Sequence, residues 1–254
     1  MHVKSRLPSF SKSHSKHMAR ELHIGFLFPL ITGSLSIPDT KGYWFLCNEQ
    51  DDTKGSEIYQ LTKELRESGG KKYLFARPEQ CFGVDRSSSI IKKNKKLHPD
   101  SNWLDGEWNA VLQSEGEDFD PALVYLDTTS FADKIPATQA LKETLHRCKK
   151  NTLVIANVMM NNSRAGSGDV FFDKEALIDN LLHDEHVETF ANWNISPKNK
   201  NFNLFHSYEY KTSKTLMRSY IFFKGVLPCT SLIMNEFNKF SGKYSFSSQT
   251  HQIV

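Results

Sequence analysis

Three aspartates each follow a short run of apolar residues, a position from which a carboxylate can bind a ligand. Asp85 ends the string "CFGVD", Asp105 precedes a glycine, and Asp127 follows "PALVYL". A carboxylate that ends a buried strand is costly without a partner, and ligands of open α/β sheets bind outside the carboxyl ends of the strands. The pattern therefore favours function for Asp85 and Asp127. Two alternatives stay open: Asp127 could simply cap the next helix, and Asp-Gly is also an ordinary turn.

The segments around these aspartates alternate between short apolar runs and amphipathic stretches. Strands are predicted at 42–49, 81–85, 101–108, 122–126, 151–160 and 187–195, and helices at 55–68, 87–97, 107–116, 136–150 and 173–186. Residues 202–227 are typical of two strands joined by a polar turn, which is an antiparallel hairpin. Strands alternating with helices indicate an α/β protein with a mostly parallel sheet. The three aspartates should then lie along one edge of that sheet.

Composition limits the class of protein. The chain has 254 residues, of which 39% are hydrophobic and 24% charged, enough for one substantial core. The net charge of +3 permits nucleic acid as a partner without requiring it. No stretch reaches the roughly 20 apolar residues of a membrane helix, which predicts a cytoplasmic protein without membrane contact. The ten histidines show no H-x-x-x-H or H-E-x-x-H spacing, so we predict no metal.

The two ends of the chain differ in composition from its middle. Residues 1–20 contain eight Lys, Arg or His side chains and no acid, which predicts either a flexible basic arm or the lead-in to a first helix. A nucleic acid is a possible contact for this segment. Residues 228–254 are a C-terminal extension that could be a tail, a last helix or a partner-binding segment. The main domain is accordingly predicted at 21–227.

The order of elements resembles the class I S-adenosylmethionine-dependent methyltransferase fold. The string "CFGVDRSSSIIKKNKKLHPDSNWLDGEW" is similar to that family's second strand, its acidic end, the following helix and the third strand, and "LVYLDTTSF" falls where the fourth strand ends. The order also resembles the three-Cys-motif partner proteins, a methyltransferase-like group. The resemblance spans about residues 20–227. It implies a Rossmann-like, doubly wound, mostly parallel sheet with helices on both faces and a C-terminal antiparallel hairpin.

The resemblance also implies where S-adenosylmethionine would bind as cofactor. In the family, the acid that ends the second strand binds the ribose hydroxyls, and Asp85 holds that place. An acid after the third strand meets the adenine amino group, and Asp105 holds the matching place. Asn48 and Glu49 close the first strand, where they could replace the contacts of the family's glycine loop. These four residues are the predicted cofactor-binding set.

An acceptor site is implied at the end of the fourth strand. In amino-methyltransferases of adenine or cytosine this position reads Asp, Asn or Ser, then Pro-Pro, then an aromatic residue that stacks on the base. Asp127 and Phe131 match the two ends of that motif, Thr128 and Thr129 replace the prolines, and Ser130 is inserted before the aromatic residue. The resemblance thus implies Asp127, Thr128, Thr129 and Phe131 as the catalytic residues.

Two functions from different classes stay open at this point. One is a methyltransferase that uses S-adenosylmethionine and acts on an amino group of nucleic acid. The other is a catalytically inactive, methyltransferase-like module that binds nucleic acid or a protein partner. The second is favoured by the string "NEQDDTKG", which stands where the family has its G-x-G loop and whose first glycine is Gly55.

Overall fold

The computed structural model describes residues 14–32, 41–47, 56–67, 70–73, 75–116, 119–131, 135–159, 202–211, 216–225, 231–233 and 235–236. The strands are β1 (Gly42–Leu46), β2 (Glu64–Glu67), β3 (Gly70–Tyr73), β4 (Cys81–Asp85), β5 (Asn102–Asp105), β6 (Pro121–Phe131), β7 (Thr152–Met159), β8 (Phe202–Lys211) and β9 (Leu216–Lys224). The α-helices are α1 (His14–Arg20), α2 (Phe28–Thr32), α3 (Glu57–Leu61), α4 (Ser88–Leu97), α5 (Trp108–Glu115) and α6 (Ile135–Arg147). A π-helical segment, Glu21–Leu27, joins α1 to α2, and a 3₁₀ turn, Pro78–Gln80, precedes β4. The predicted helix at 173–186 and strand at 187–195 lie outside the described residues.

Seven strands form one mixed sheet in the order β5-β4-β1-β6-β7-β9-β8. The first five are parallel to their neighbours, whereas β9 runs antiparallel to both β7 and β8. In this sheet β4 and β5 lie on one side of β1, and β6 lies on its other side. The strand order therefore reverses between β1 and β6. The predicted fold is confirmed: a Rossmann-like, mostly parallel α/β sheet that ends in an antiparallel hairpin.

Both faces of the sheet are covered, as alternation along the strands requires. Odd-numbered residues of the central strands, such as Phe45 and Tyr125, pack with the N-terminal helices, α3 and α4. Even-numbered residues, such as Trp44 and Leu126, pack with α5 and α6. Because parallel strands are apolar on both faces, they read as continuous hydrophobic runs in the sequence. We call the odd-numbered side the N-terminal face.

The predicted helix at 55–68 is wrong in its second half. Helix α3 ends at Leu61, and β2 and β3 then form a separate antiparallel hairpin in which Leu65 pairs with Lys72. The Ile58 carbonyl still accepts the helical bond from the Thr62 backbone N–H at 2.9 Å and a second bond from the Thr62 hydroxyl at 2.7 Å. The Leu61 carbonyl instead accepts from the backbone N–H of Ala76 at 3.1 Å, so the helix goes no further although the apolar stripe continues to Leu65.

Residues 14–20 are helical and continue without a break into the π-helical segment. They are thus the lead-in to a first helix, one of the two alternatives that the sequence left open for this part of the basic segment. Lys16, Ala19 and Arg20 are the buried residues of α1. No described helix is long and apolar enough to span a membrane.

Candidate functional site

The three candidate aspartates lie at one level along the carboxyl edge of the sheet. Asp85 and Asp105 are register partners on β4 and β5. Leu46 pairs with Val84 on β4, and Phe45 pairs with Tyr125 on β6, so Asp127 lies level with Asp85 across the position that follows β1. All three are odd-numbered and point to the N-terminal face. The structure therefore brings the three aspartates together, but the predicted end of the strand at 126 is wrong, because β6 continues to Phe131 and Asp127 lies within it.

Asp85 is half-buried beside the point where the strand order reverses, which is where open α/β sheets bind ligands. Its Oδ1 accepts a hydrogen bond from the Ser87 backbone N–H at 2.7 Å. Within the described part of the chain, no donor contacts Oδ2. Burial raises the pKa of Asp85, and the carboxylates of Asp105 and Glu107 add to that rise, whereas the Ser87 N–H and Arg86 oppose it. A carboxylate in this setting gains from hydroxyl donors.

Asp105 is more exposed than Asp85 and closes the neighbouring strand. The Ser88 hydroxyl donates to Asp105 Oδ2, which ties the strand end to the first turn of α4. The Gly106 backbone N–H donates to the Asp85 carbonyl at 3.0 Å. The two aspartates thus lie on a rigid rim with their carboxylates facing the same side.

Asp127 is buried and ion-paired with two cations of α1. Lys16 Nζ lies 3.0 Å from Oδ1 and 3.2 Å from Oδ2, and Arg20 Nη2 lies 2.7 Å from Oδ2. The Asp127 side chain is 1% exposed. Burial by itself raises the pKa of Asp127, but Lys16 and Arg20 outweigh it and hold the pKa below its ordinary value.

The charge network continues to the helix that follows the first loop. Arg20 Nε lies 2.6 Å from Glu57 Oε1, and all three side chains that meet around Arg20 are buried. Glu57 is in the first turn of α3, whose N-cap is Ser56. Charges therefore alternate in the order Lys16, Asp127, Arg20, Glu57, which we call the charge chain.

Lys16, Arg20 and Glu57 were not among the site residues predicted from the sequence. A signal existed, because residues 16 and 20 have the i, i+4 spacing that places two side chains on one helix face. An acid just after a Ser N-cap is likewise typical of a first helical turn. What the sequence lacked was the partner, since Asp127 is 107 residues from Arg20.

The remaining predicted catalytic residues extend along β6. Thr128 is buried, and its hydroxyl donates to the Asn157 carbonyl of β7 at 2.9 Å. The pairing of β6 with β7 shifts register between Asp127 and Phe131. Thr129 and Phe131 also belong to β6, and their side chains lie outside the described part of the structure. Asn48 and Glu49 follow β1 and also lie outside the described residues.

A buried polar network lies beside Asp127 and was not predicted. Asn157 Nδ2 donates to the Tyr125 hydroxyl at 2.8 Å, and the same hydroxyl lies 3.2 Å from His23 Nδ1. The Ser219 hydroxyl donates to Asn157 Oδ1 at 2.5 Å. These bonds join the π-helical segment, β6, β7 and β9, and so fix the strand ends around the site.

The described residues contain no group of three or more His, Cys, Asp or Glu side chains arranged for one metal ion.

Cys47 follows β1 at the centre of the rim. Burial raises the pKa of the Cys47 thiol, and the nearby carboxylates of Asp85 and Glu57 raise it further. It is therefore a packed thiol rather than a nucleophile.

Solved structures resemble the fold at low sequence identity. An S-adenosylmethionine-dependent methyltransferase from Clostridium acetobutylicum is 10% identical, with 82% of this chain and 92% of that chain covered and a TM-score of 0.48. An rRNA methylase from Streptococcus thermophilus is 9% identical, with 85% and 99% covered and a TM-score of 0.45. The plantazolicin methyltransferase is 10% identical, with 83% and 86% covered and a TM-score of 0.49. Likenesses at this level concern the overall fold alone.

No protein-family model matches the sequence, and no curated protein matches it significantly. Fold and site together define a Rossmann-like α/β protein with a row of carboxylates at its strand reversal point.

Proposed function

We propose that this protein is an S-adenosylmethionine-dependent methyltransferase acting on an amino group of nucleic acid. The observation that carries the proposal is the row of Asp85, Asp105 and Asp127 along the carboxyl edge, on one face and beside the strand reversal. Ligands of this class of sheet bind there. The resemblance in sequence assigns the same three positions to the ribose, the adenine and the acceptor.

Asp85 fits the ribose end of the cofactor. Its half-buried carboxylate has one oxygen bonded to Ser87 N–H, and Oδ2 meets no donor among the described residues. Two vicinal hydroxyls would donate to such a carboxylate and compensate its burial. Asp105 would accept from the adenine amino group, and Asn48 and Glu49 would contact the remainder of the cofactor.

The cofactor would supply an activated methyl group bonded to a positively charged sulfur. The acceptor nitrogen would form a bond to the methyl carbon as the sulfur–methyl bond breaks, the sulfur would keep that bond's electrons, and the proton of the nitrogen would pass to solvent. This displacement depends on orientation, which we assign to Asp127, Thr128, Thr129 and Phe131. Asp127 would accept a hydrogen bond from the amino group, and Phe131 would stack on the base.

Calorimetric titration with S-adenosylmethionine tests the proposal. We expect the wild type to bind and Asp85→Asn to lose about tenfold or more in affinity, because charge-assisted hydrogen bonds to the ribose are lost. Asp100→Asn is the matched control, since Asp100 is exposed in a turn and loses the same charge. Asp85→Asn should stay folded. Burial raises the pKa of Asp85 in the wild type, so burial already disfavours the charged form that the substitution removes. A wild type that produces no binding heat would contradict the proposal.

The second candidate is an inactive module of this fold that binds nucleic acid or a protein partner. It is favoured by the state of Asp127, whose two oxygens are both bonded to cations of the same chain. A residue held in this way has a structural role as it stands. This alternative predicts no cofactor affinity, together with nucleic-acid binding that weakens with salt.

A further inference from the structure

Helix α1 covers the predicted acceptor residue. The Asp127 side chain is 1% exposed, and the groups that bury its oxygens are Lys16 and Arg20. An acceptor amino group cannot reach Asp127 while both cations remain in place. Any acceptor role of Asp127 therefore requires α1 to move.

The attachment of α1 differs from that of the segment that follows it. Of the α1 side chains that the structure describes, those of Lys16, Ala19 and Arg20 are buried, and Lys16 and Arg20 are cations that contact carboxylates. The π-helical segment Glu21–Leu27 is instead held by Leu22, His23, Ile24 and Leu27 in the core. Other anions can compete with the carboxylates for Lys16 and Arg20. They cannot displace the apolar side chains that hold the next segment.

The junction between the two is itself irregular. A π-helix is rare and is found preferentially at functional sites, because its wider turn interrupts the regular hydrogen-bond pattern. Here it spans seven residues between α1 and α2. A movement of α1 would therefore hinge next to Glu21, ahead of Leu22, the first buried residue of this segment.

The composition of the segment identifies the competing anion. Residues 1–20 carry eight Lys, Arg or His side chains and no acid. Phosphates of a nucleic acid are the ligands that such a segment attracts, and guanidinium and ammonium groups bind phosphate as readily as carboxylate. A ligand shifts a conformational equilibrium only if it binds one state better. A phosphate chain that binds Lys16 and Arg20 only when they have left Asp127 meets this condition.

We propose that α1 is an intramolecular gate over the acceptor site, closed by Lys16 and Arg20 on Asp127 and opened when single-stranded nucleic acid takes up these two cations. This regulation rests on the proposed function, since it assigns Asp127 to the acceptor. In the open state Asp127 faces the incoming base, and Arg20 no longer links it to Glu57. Binding of the nucleic acid thus opens the acceptor site that its base then enters.

Amide hydrogen exchange of the full chain, followed by mass spectrometry, tests the gate. A short single-stranded oligonucleotide is added until fluorescence anisotropy shows saturation. We expect exchange across residues 14–20 to accelerate by about tenfold or more, because α1 opens locally, while β6 and β7 remain protected. Unchanged or slower exchange in 14–20 with the oligonucleotide bound, or no oligonucleotide binding, would overturn the gate.

Variants sharpen the experiment. Lys16→Met removes one of the two cations but leaves Arg20 on Asp127, so the fold is retained and α1 should exchange faster without the oligonucleotide. Lys63→Met is the matched control, because Lys63 is exposed and loses the same charge. Equal exchange of 14–20 in both variants would refute the closing role of Lys16. Failure of cofactor binding in calorimetry would refute the proposed function and leave these exchange results standing.

Discussion

Asp127 is a buried carboxylate whose charge is compensated by two buried cations. Transfer of a carboxylate into the interior costs free energy, and a buried ion pair recovers it only with close and complete partners. Lys16 and Arg20 both lie within 3.0 Å of an Asp127 oxygen, and Glu57 balances the second cation. The charge chain is therefore neutral as a whole, although each of its members would be costly alone.

Asp127→Asn should destabilise the protein by about 3–5 kcal/mol, because Lys16 and Arg20 lose the carboxylate that compensates their burial. Urea denaturation measures the change. Glu107→Gln is the control, since the Arg86–Glu107 pair is 3.7 Å apart and exposed, and we expect less than about 1 kcal/mol from it. Equal losses in the two variants would show that burial of the charge chain has no energetic consequence.

The effect of Asp127→Asn on the unfolding free energy should depend on pH, in a direction that follows from the lowered pKa of Asp127. The pKa of Asp127 is lowered in the folded protein from its ordinary value of 3.8, so its stabilising effect is complete above that value. It is lost as the pH falls through 3.8 towards the lower native pKa. The difference in unfolding free energy between wild type and Asp127→Asn should therefore shrink in acid. A difference that grew on acidification would contradict this assignment.

Close packing between the elements β4 and β5 positions Asp85 and Asp105, which are predicted to bind the cofactor. Gly83 lies inside β4, and a Cβ there would come within 2.4 Å of the Trp103 ring and 3.1 Å of Phe45. Trp103 lies on β5 two residues before Asp105, and its indole N–H donates to the His98 carbonyl at 2.9 Å. The missing side chain at Gly83 thus lets a large ring pack over β4 and sets the position of β5.

Gly83→Ala should destabilise the protein by about 1–3 kcal/mol, because the added methyl group overpacks the core. It should also weaken cofactor binding if Asp105 moves with β5. A second substitution, Trp103→Phe, makes room for the methyl group, so the double variant should lose less than the sum of the two single ones. Thermal or urea denaturation of the four proteins measures the coupling, and strict additivity would argue against this contact.

At the scale of the whole molecule, two basic elements cover the same face of the sheet. Helix α1 reaches Asp127 on the N-terminal face, and α4 packs there through Ile91 and through Asn94, which hydrogen-bonds Cys47. The outer side of α4 carries four exposed lysines, Lys92, Lys93, Lys95 and Lys96. Basic side chains that share one face can follow a phosphate backbone, which a net charge of +3 alone does not indicate.

Replacement of Lys92 and Lys96 by Gln should therefore reduce the salt dependence of oligonucleotide binding. For a single strand, each phosphate contact contributes about 0.7 to the slope of log K against log salt, so the double variant should lose about 1.4. Anisotropy titrations at several salt concentrations measure the slope. Lys149→Gln with Lys150→Gln, two exposed residues between β7 and α6, the helix that packs on the other face, removes the same charge and should leave the slope nearly unchanged. Equal slopes in all proteins would exclude α4 from the contact surface.

The sequence by itself determined the class of fold and the rim. Alternating apolar runs and amphipathic helices predicted β1, β4 and β7 to within a few residues and placed Asp85 and Asp105 at strand ends, whereas β6 continues to Phe131, so that Asp127 lies inside its strand. These features are local, because period, strand length and terminal residues are read within one segment. The hairpin of β2 and β3 was missed because the apolar stripe that continues to Leu65 favoured a helix, whereas the Leu61 carbonyl bonds to the distant Ala76 N–H.

Tertiary structure alone decided what Asp127 touches. Its partners Lys16 and Arg20 are 111 and 107 residues away, and no local pattern encodes a contact at that separation. An aspartate that follows an apolar run reads the same in sequence whether it faces a substrate or two cations of its own chain. The difference arises from burial, because a carboxylate removed from water must find its compensating charge wherever the packed chain brings one.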